Sequence, residues 1–174
     1  MQLEDTHLQE QEALEASAEE LRQWESSDAV ERRYELERVG HHFQETHEAP
    51  APPIYPEQFD DPRLMGKYVD EDFRIEMRED LFGQEDPRNA LETYLHEYRH
   101  AAQYYDVERS QGALAHEVDR DRTAAIEDSL DRYVSPGEDE QGYFDQLAER
   151  DAREFAERET DRILELRDER QDQK

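Results

Sequence analysis

The apolar positions of this chain are patterned rather than scattered. Along residues 1–47, Leu3, Leu14, Leu21, Trp24, Val30 and Tyr34 lie at spacings compatible with one stripe on a helix, with Glu and Gln elsewhere. Neither Pro nor Gly interrupts them before Gly40, and Ser26-Ser27-Asp28 carries the chemistry of a helix cap. The pattern therefore predicts helix over 1–47, with a second helix over 29–39. The stripe suits either a coiled coil or docking on the rest of the chain. Residues 49–62 hold five of the seven prolines and read as an extended linker. Beyond them, 65–69 and 73–77 are short runs flanking Asp70-Glu71-Asp72. Phe73, Ile75 and Met77 alternate with Arg74, Glu76 and Arg78, a period of two that predicts a hairpin with one buried face.

The second half switches to helical spacing. Pro87 suits a first helical turn, and Leu91, Leu95, Tyr98, Ala102 and Tyr105 form the stripe that follows. Residues 113–134 predict another helix, with Leu114, Val118, Ala125, Ile126, Leu130 and Tyr133 apolar, broken by Ser135-Pro136-Gly137. A final helix is expected over 143–166, carrying Phe144, Leu147, Ala148, Ala152, Phe155, Ala156, Ile163 and Leu166. The resulting expectation is an α+β protein: a helical arm at 1–48, a linker at 49–62, a domain at 63–168 and a frayed tail at 169–174.

Composition sharpens this picture. Hydrophobic residues are 34% and charged residues 40% of the 174, which raises disorder; the 9 Tyr, 6 Phe and 1 Trp, set in periodic stripes, oppose it. A net charge of −28 argues against nucleic acid or anionic membrane as partner, because phosphate contacts need clustered cations. No apolar run reaches the roughly 18 residues of a membrane helix. The acidic start MQLEDTHLQE shows no secretory signal, which points to the cytoplasm, or to carriage in a virus particle or as secreted cargo. The absence of Cys excludes disulfides, thiolate zinc sites and cysteine nucleophiles. The cations are 19 Arg and 2 Lys, Lys67 and Lys174. So acidic and Lys-poor a chain resembles proteins of salt-in halophiles: at molar salt the Debye length falls to about 3 Å and self-repulsion is screened.

The chemistry sits in the helix after Pro87. His96-Glu97-Tyr98-Arg99-His100 is an H-E-x-x-H. Four helical residues turn about 400°, so both imidazoles emerge on nearly one side and reach one ion at about 2.0–2.1 Å. Glu97 points toward the same cleft but off the metal, where a general base is needed. Zinc lowers the pKa of a bound water to near 7, and the carboxylate takes its proton as it attacks a carbonyl. A catalytic zinc site wants a third protein ligand and one open position. Asp106 qualifies only if the chain turns sharply after the motif, and Gln103 stands where such a turn normally has Gly; on a continuing helix it faces about 120° away. His116 is a second candidate. Glu149 is preferred: it lies on an amphipathic helix, with Ala152 one turn on to let two helices approach closely.

The order hairpin, T-x-x-H-E-x-x-H-x-x-Q, then Y-F-x-x-x-x-E-x-D-A-x-x-F-A resembles the small, minimal zinc metallopeptidases of the gluzincin type, found in phages, mobile elements and toxin cargo. The residues concerned are Thr93, His96, Glu97, His100, Gln103, Tyr143, Phe144, Glu149, Asp151, Ala152, Phe155 and Ala156. The resemblance spans about 63–160 and is silent on 1–62. It implies a zincin-like fold whose active-site helix packs under a small sheet, with the edge strand, here 73–77, pairing with an extended peptide. Gln146 departs from the Asn often found three residues before the third ligand.

Hydrolysis of a peptide also needs a second donor to the developing oxyanion. Tyr143, Tyr133 and Arg99 are candidates, Tyr143 foremost. Asp151 is a candidate to orient a ligand histidine. His41, His42 and His47 read as a polar segment rather than a second metal site. The leading expectation is a zinc-dependent peptidase acting on peptide or protein, with His96, His100 and Glu149 as ligands and Glu97 as base. The alternative is an assembly protein of a virus particle or secretion apparatus, self-associating through the arm, with a structural or vestigial metal site. A nucleic-acid mimic that binds a basic partner is a third reading.

Overall fold

The structure, a computed structural model, describes residues 2–47, 49–112, 119–135 and 137–172. The described residues form six helices and a small mixed sheet of three strands, an α+β fold. The N-terminal helices are α1 (Gln2–Glu20) and α2 (Ala29–His47), separated by a 3-10 segment at Leu21–Ser26. The strands are β1 (Ile54–Glu57), β2 (Gly66–Val69) and β3 (Arg74–Arg78). The remaining helices are α3 (Arg88–Gln111), α4 (Arg120–Asp131), α5 (Glu140–Asp145) and α6 (Leu147–Asp172).

The cap at Asp28 forms as the sequence suggests. Its carboxylate accepts from the N–H groups of Val30 and Glu31, each at 2.9 Å, and the Glu31 carboxylate accepts from Asp28 N–H at 2.8 Å. The helix then runs through Gly40 to His47, past the expected end near 39. Its buried face is Leu36, Val39, Gly40 and Phe43, whereas Val30 and Tyr34 are exposed. The 3-10 break resets the helical phase, so a stripe drawn across it puts two residues on the wrong side.

The first 62 residues also pack differently from an arm and linker. Leu14, Trp24, Leu36, Val39 and Phe43 share one core with Ile75, Leu91, Tyr94 and Ile163. Trp24 is fully buried and its indole N–H donates to the Gln84 carbonyl at 2.9 Å. The buried Arg32 guanidinium donates to the carbonyls of Trp24, Phe82 and Gln84 at 2.8–3.0 Å. The Pro-rich stretch supplies β1, which pairs parallel with β3 in the register Ile54↔Ile75. At the other end α6 continues to Asp172, so residues 169–172 are helical rather than frayed, and Arg170 pairs with Glu15 at 2.8 Å.

The hairpin of β2 and β3 is antiparallel, with Gly66↔Met77 and Tyr68↔Ile75. Ile75 and Met77 are fully buried; Phe73 is instead the turn residue, left-handed at φ 48° and exposed. The strand order is β1–β3–β2, which corrects the expectation that 73–77 forms an edge: β3 is central. The outer edge of β1 is closed. Ile54 N–H is taken by Glu37 at 2.9 Å, and Pro56 has no N–H to offer. The edge that faces the helix bearing the H-E-x-x-H is β2.

Elsewhere, α4 is capped by Asp119 and buries Thr123 and Ile126, while Ala125 is exposed. Leu114, His116 and Val118 lie outside the described residues. The expected final helix is broken at Gln146, whose extended backbone separates α5 from α6. No helix among the described residues is long and apolar enough to cross a membrane.

Candidate metal centre

α3 and α6 pack side by side, running in opposite directions. Gln103 meets Ala148 and Asp151, Arg99 meets Asp151, and Arg88 meets Asp161. Ala152 is fully buried, the small residue the close approach requires. This packing brings Glu149 to the two histidines of α3. His96 Nε2 lies 3.1 Å from His100 Nε2. Glu149 Oε2 lies 3.3 Å from His96 Nε2, and Oε1 lies 3.4 Å from His100 Nε2. Donors around a tetrahedral zinc at about 2.0–2.2 Å stand about 3.3–3.6 Å apart. The separations of 3.1–3.4 Å between the imidazoles and the two carboxylate oxygens are of that size. These three residues are the one such group among the described residues.

The chemistry of the donors fits a cation as well. Gln103 is buried and its amide nitrogen donates to the Ala148 carbonyl at 3.0 Å and to Asp151 Oδ2 at 2.9 Å. Both are acceptors only, so the amide oxygen must face His100 Nδ1, 3.0 Å away. His100 Nδ1 then carries the proton and Nε2 turns a lone pair toward the centre. Glu149 Oε2 is buried there without a hydrogen bond. Burial pushes the Glu149 carboxyl up, but the adjacent His100 and His96 imidazoles hold it well below the usual range. Burial lowers the His100 pKa, and the neighbouring carboxylates of Glu149 and Glu97 outweigh it, so the net shift is upward. Lone pairs and carboxylate converging in a buried place call for a cation.

Of the other candidates, Asp106 is carried away because α3 continues unbroken to Gln111. Asp151 reaches His100 only through Gln103; it also pairs with Arg99 at 2.7 Å and with Arg122. That pairing, with the Arg99 guanidinium 5.5 Å from the Phe155 ring, takes Arg99 off the substrate side. His42 pairs with Glu20 at 3.2 Å, and His47 stacks on Phe43 at 5.5 Å.

A cleft of about 730 Å³ opens beside the centre. α3 contributes Asn89, Thr93, His96 and Glu97; Leu64, Met65 and Gly66 lead into β2; Arg153 and Ala156 come from α6; Ser135 comes from the loop before α5 and Tyr143 from α5 itself. Glu97 is buried, and its Oε2 accepts the Tyr68 backbone N–H at 2.8 Å. Tyr143 lines the cleft and its hydroxyl hydrogen-bonds Glu149; burial first, then the Glu149 charge and this bond, push its pKa up. Tyr133 stands edge-on to Tyr143 at 6.1 Å, and burial followed by the Glu149 and Glu97 charges pushes it up to about 12. Gln146 anchors the segment bearing Tyr133: its amide exchanges two hydrogen bonds with the Val134 backbone, at 2.8 and 3.0 Å.

Three of these contributions were not assigned from sequence: the Tyr68 amide, the Gln103 bridge and the Gln146 clamp. Gln103 was visible three residues after the second histidine, but its partners lie on α6. The Tyr68 contact is made by backbone and leaves no residue signature. No family model, curated protein or solved structure matches the chain.

Proposed function

We propose that the chain is a zinc-dependent peptidase with a zincin-like arrangement. The observation that carries this reading is the convergence of His96, His100 and Glu149 at a cleft that also holds Glu97 and the edge strand β2. His96, His100 and Glu149 would hold the ion, which supplies a Lewis acid for the carbonyl and acidifies a water. Glu97 takes the proton as water oxygen bonds to the carbonyl carbon, and returns it to the leaving amine as the C–N bond breaks. Tyr143, which lines the cleft, is the candidate donor to the developing charge. An extended peptide lies along β2, since β1 offers no free N–H and β3 is central. The chain is further proposed to work at high salt, where its charge is screened.

The test is Glu97→Gln. The variant should retain zinc at the wild-type stoichiometry and lose turnover of an unstructured protein substrate by at least about 10²-fold. Turnover equal to wild type would remove the peptidase reading.

A further inference from the structure

Glu97 is gripped by a strand rather than by another side chain, and the grip depends on one glycine. Arg78 N–H donates to the Met65 carbonyl at 2.9 Å, so 65 and 78 form a bonded rung of the hairpin. Rungs alternate in an antiparallel ladder, so Gly66 and Tyr68, opposite Met77 and Ile75, turn their N–H and C=O groups away from β3. They face α3. The Tyr68 N–H meets Glu97 Oε2 at 2.8 Å. A Cβ on Gly66 would stand 2.8 Å from Thr93 Cγ2, 3.2 Å from Glu97 Cγ and 3.3 Å from the Glu76 carbonyl. Gly66 has an ordinary negative φ, so a side chain is excluded by space and not by backbone conformation. Thr93 sits one turn before Glu97 on the same face of α3, so the Thr93 methyl and the missing Cβ together fix how near β2 comes to the helix.

We propose that the Tyr68 amide and Gly66 are positioning groups for Glu97. The amide fixes one carboxylate oxygen and leaves the other for the proton-transfer step, and Gly66 is the residue that lets the amide reach. The strand along which a peptide would lie is thus the strand that aims the base. The Tyr68 N–H is engaged before a substrate arrives, so it is not a group that a peptide would pair with. The catalytic half of this proposal rests on the peptidase reading; the geometric half does not.

The test uses the zinc-loaded full-length protein. Amide hydrogen exchange followed by NMR should show Tyr68 N–H at least about tenfold slower in wild type than in Glu97→Ala. Gly66→Ala should lose that protection and, with zinc content unchanged, lower kcat by about 10²-fold while KM moves less. Adding Thr93→Ser, which removes the clashing methyl, should restore protection and at least about tenfold of the lost kcat. The proposal is overturned if Tyr68 N–H exchanges equally fast in wild type and Glu97→Ala. It is also overturned if Gly66→Ala keeps both protection and kcat, or if Thr93→Ser rescues neither. Should wild type cleave no peptide, the exchange measurements still decide the geometric half, and the peptidase reading alone falls.

Discussion

Gly40 separates a docked α2 from a free one by the sign of a single substitution. In a helix standing in solvent, Gly→Ala stabilises by about 0.5–1 kcal/mol. Here a Cβ on Gly40 would overlap the Tyr94 hydroxyl outright, and would stand 2.9 Å from its Cζ and 3.1 Å from Ala51 Cβ. Tyr94 is fully buried, with Tyr98 packed at 6.4 Å, so its ring has nowhere to move. Overpacking of a closed core costs about 1–3 kcal/mol; less the helix gain, a net loss of about 1 kcal/mol is expected for Gly40→Ala. For a chain of this length that lowers Tm by about 2–4 °C. The Tyr94 hydroxyl is buried without a hydrogen bond, so Tyr94→Phe should be close to neutral in wild type and return about 1 kcal/mol in the Gly40→Ala background. Thermal and urea unfolding of the four proteins, at one salt and zinc concentration, measures the cycle. A Gly40→Ala variant more stable than wild type, or a cycle with no coupling, would refute the docking of α2 on α3.

Other outcomes follow from the same geometry. Gln103→Leu removes the acceptor that holds His100 Nδ1, and zinc affinity measured by chelator competition should fall by about 10–100-fold. Burial, aided by the Arg99 and Arg158 charges, lowers the His47 pKa to about 4. Its neutral form is favoured in the fold, so its contribution is complete above the unfolded value near 6.5 and is lost as pH falls toward 4, by at most about 3 kcal/mol. Urea unfolding between those pH values should show a shallower loss in His47→Phe than in wild type; equal slopes would contradict the burial of His47. With a net charge of −28, unfolding midpoints should rise steeply from 0.1 M to 2 M KCl, and a flat dependence would argue against the halophilic reading.

What the sequence disclosed was local and periodic. The α3 stripe and the H-E-x-x-H on it come from spacing alone, and Glu149 followed from an apolar face with Ala152 one turn on. What it concealed was non-local. β1 is four residues inside a proline-rich stretch, and it becomes a strand only because β3, about twenty residues later, offers an unpaired edge. One of the prolines that suggest a linker, Pro56, instead helps Glu37 close the sheet's outer side. Val30 and Tyr34 were placed on a stripe because a 3-10 turn leaves no mark in composition, and the resulting change of phase is small in sequence and complete in space. Phe73 fitted the period of two, yet it is the one non-glycine residue with a left-handed backbone among those described, so it turns the hairpin instead of packing in it. The groups that orient the site are an amide bridge between two helices and a backbone N–H, and neither type of contact has a spacing rule.

The most direct test of the central claim is metal content by mass spectrometry, on protein purified in about 2 M KCl for strong screening. Wild type, His100→Ala, Glu149→Ala and Glu97→Gln would be compared. One zinc per chain in wild type and in Glu97→Gln, lost in the other two, is the expected result. Zinc retained in full by Glu149→Ala, or none in wild type after reconstitution, would contradict it.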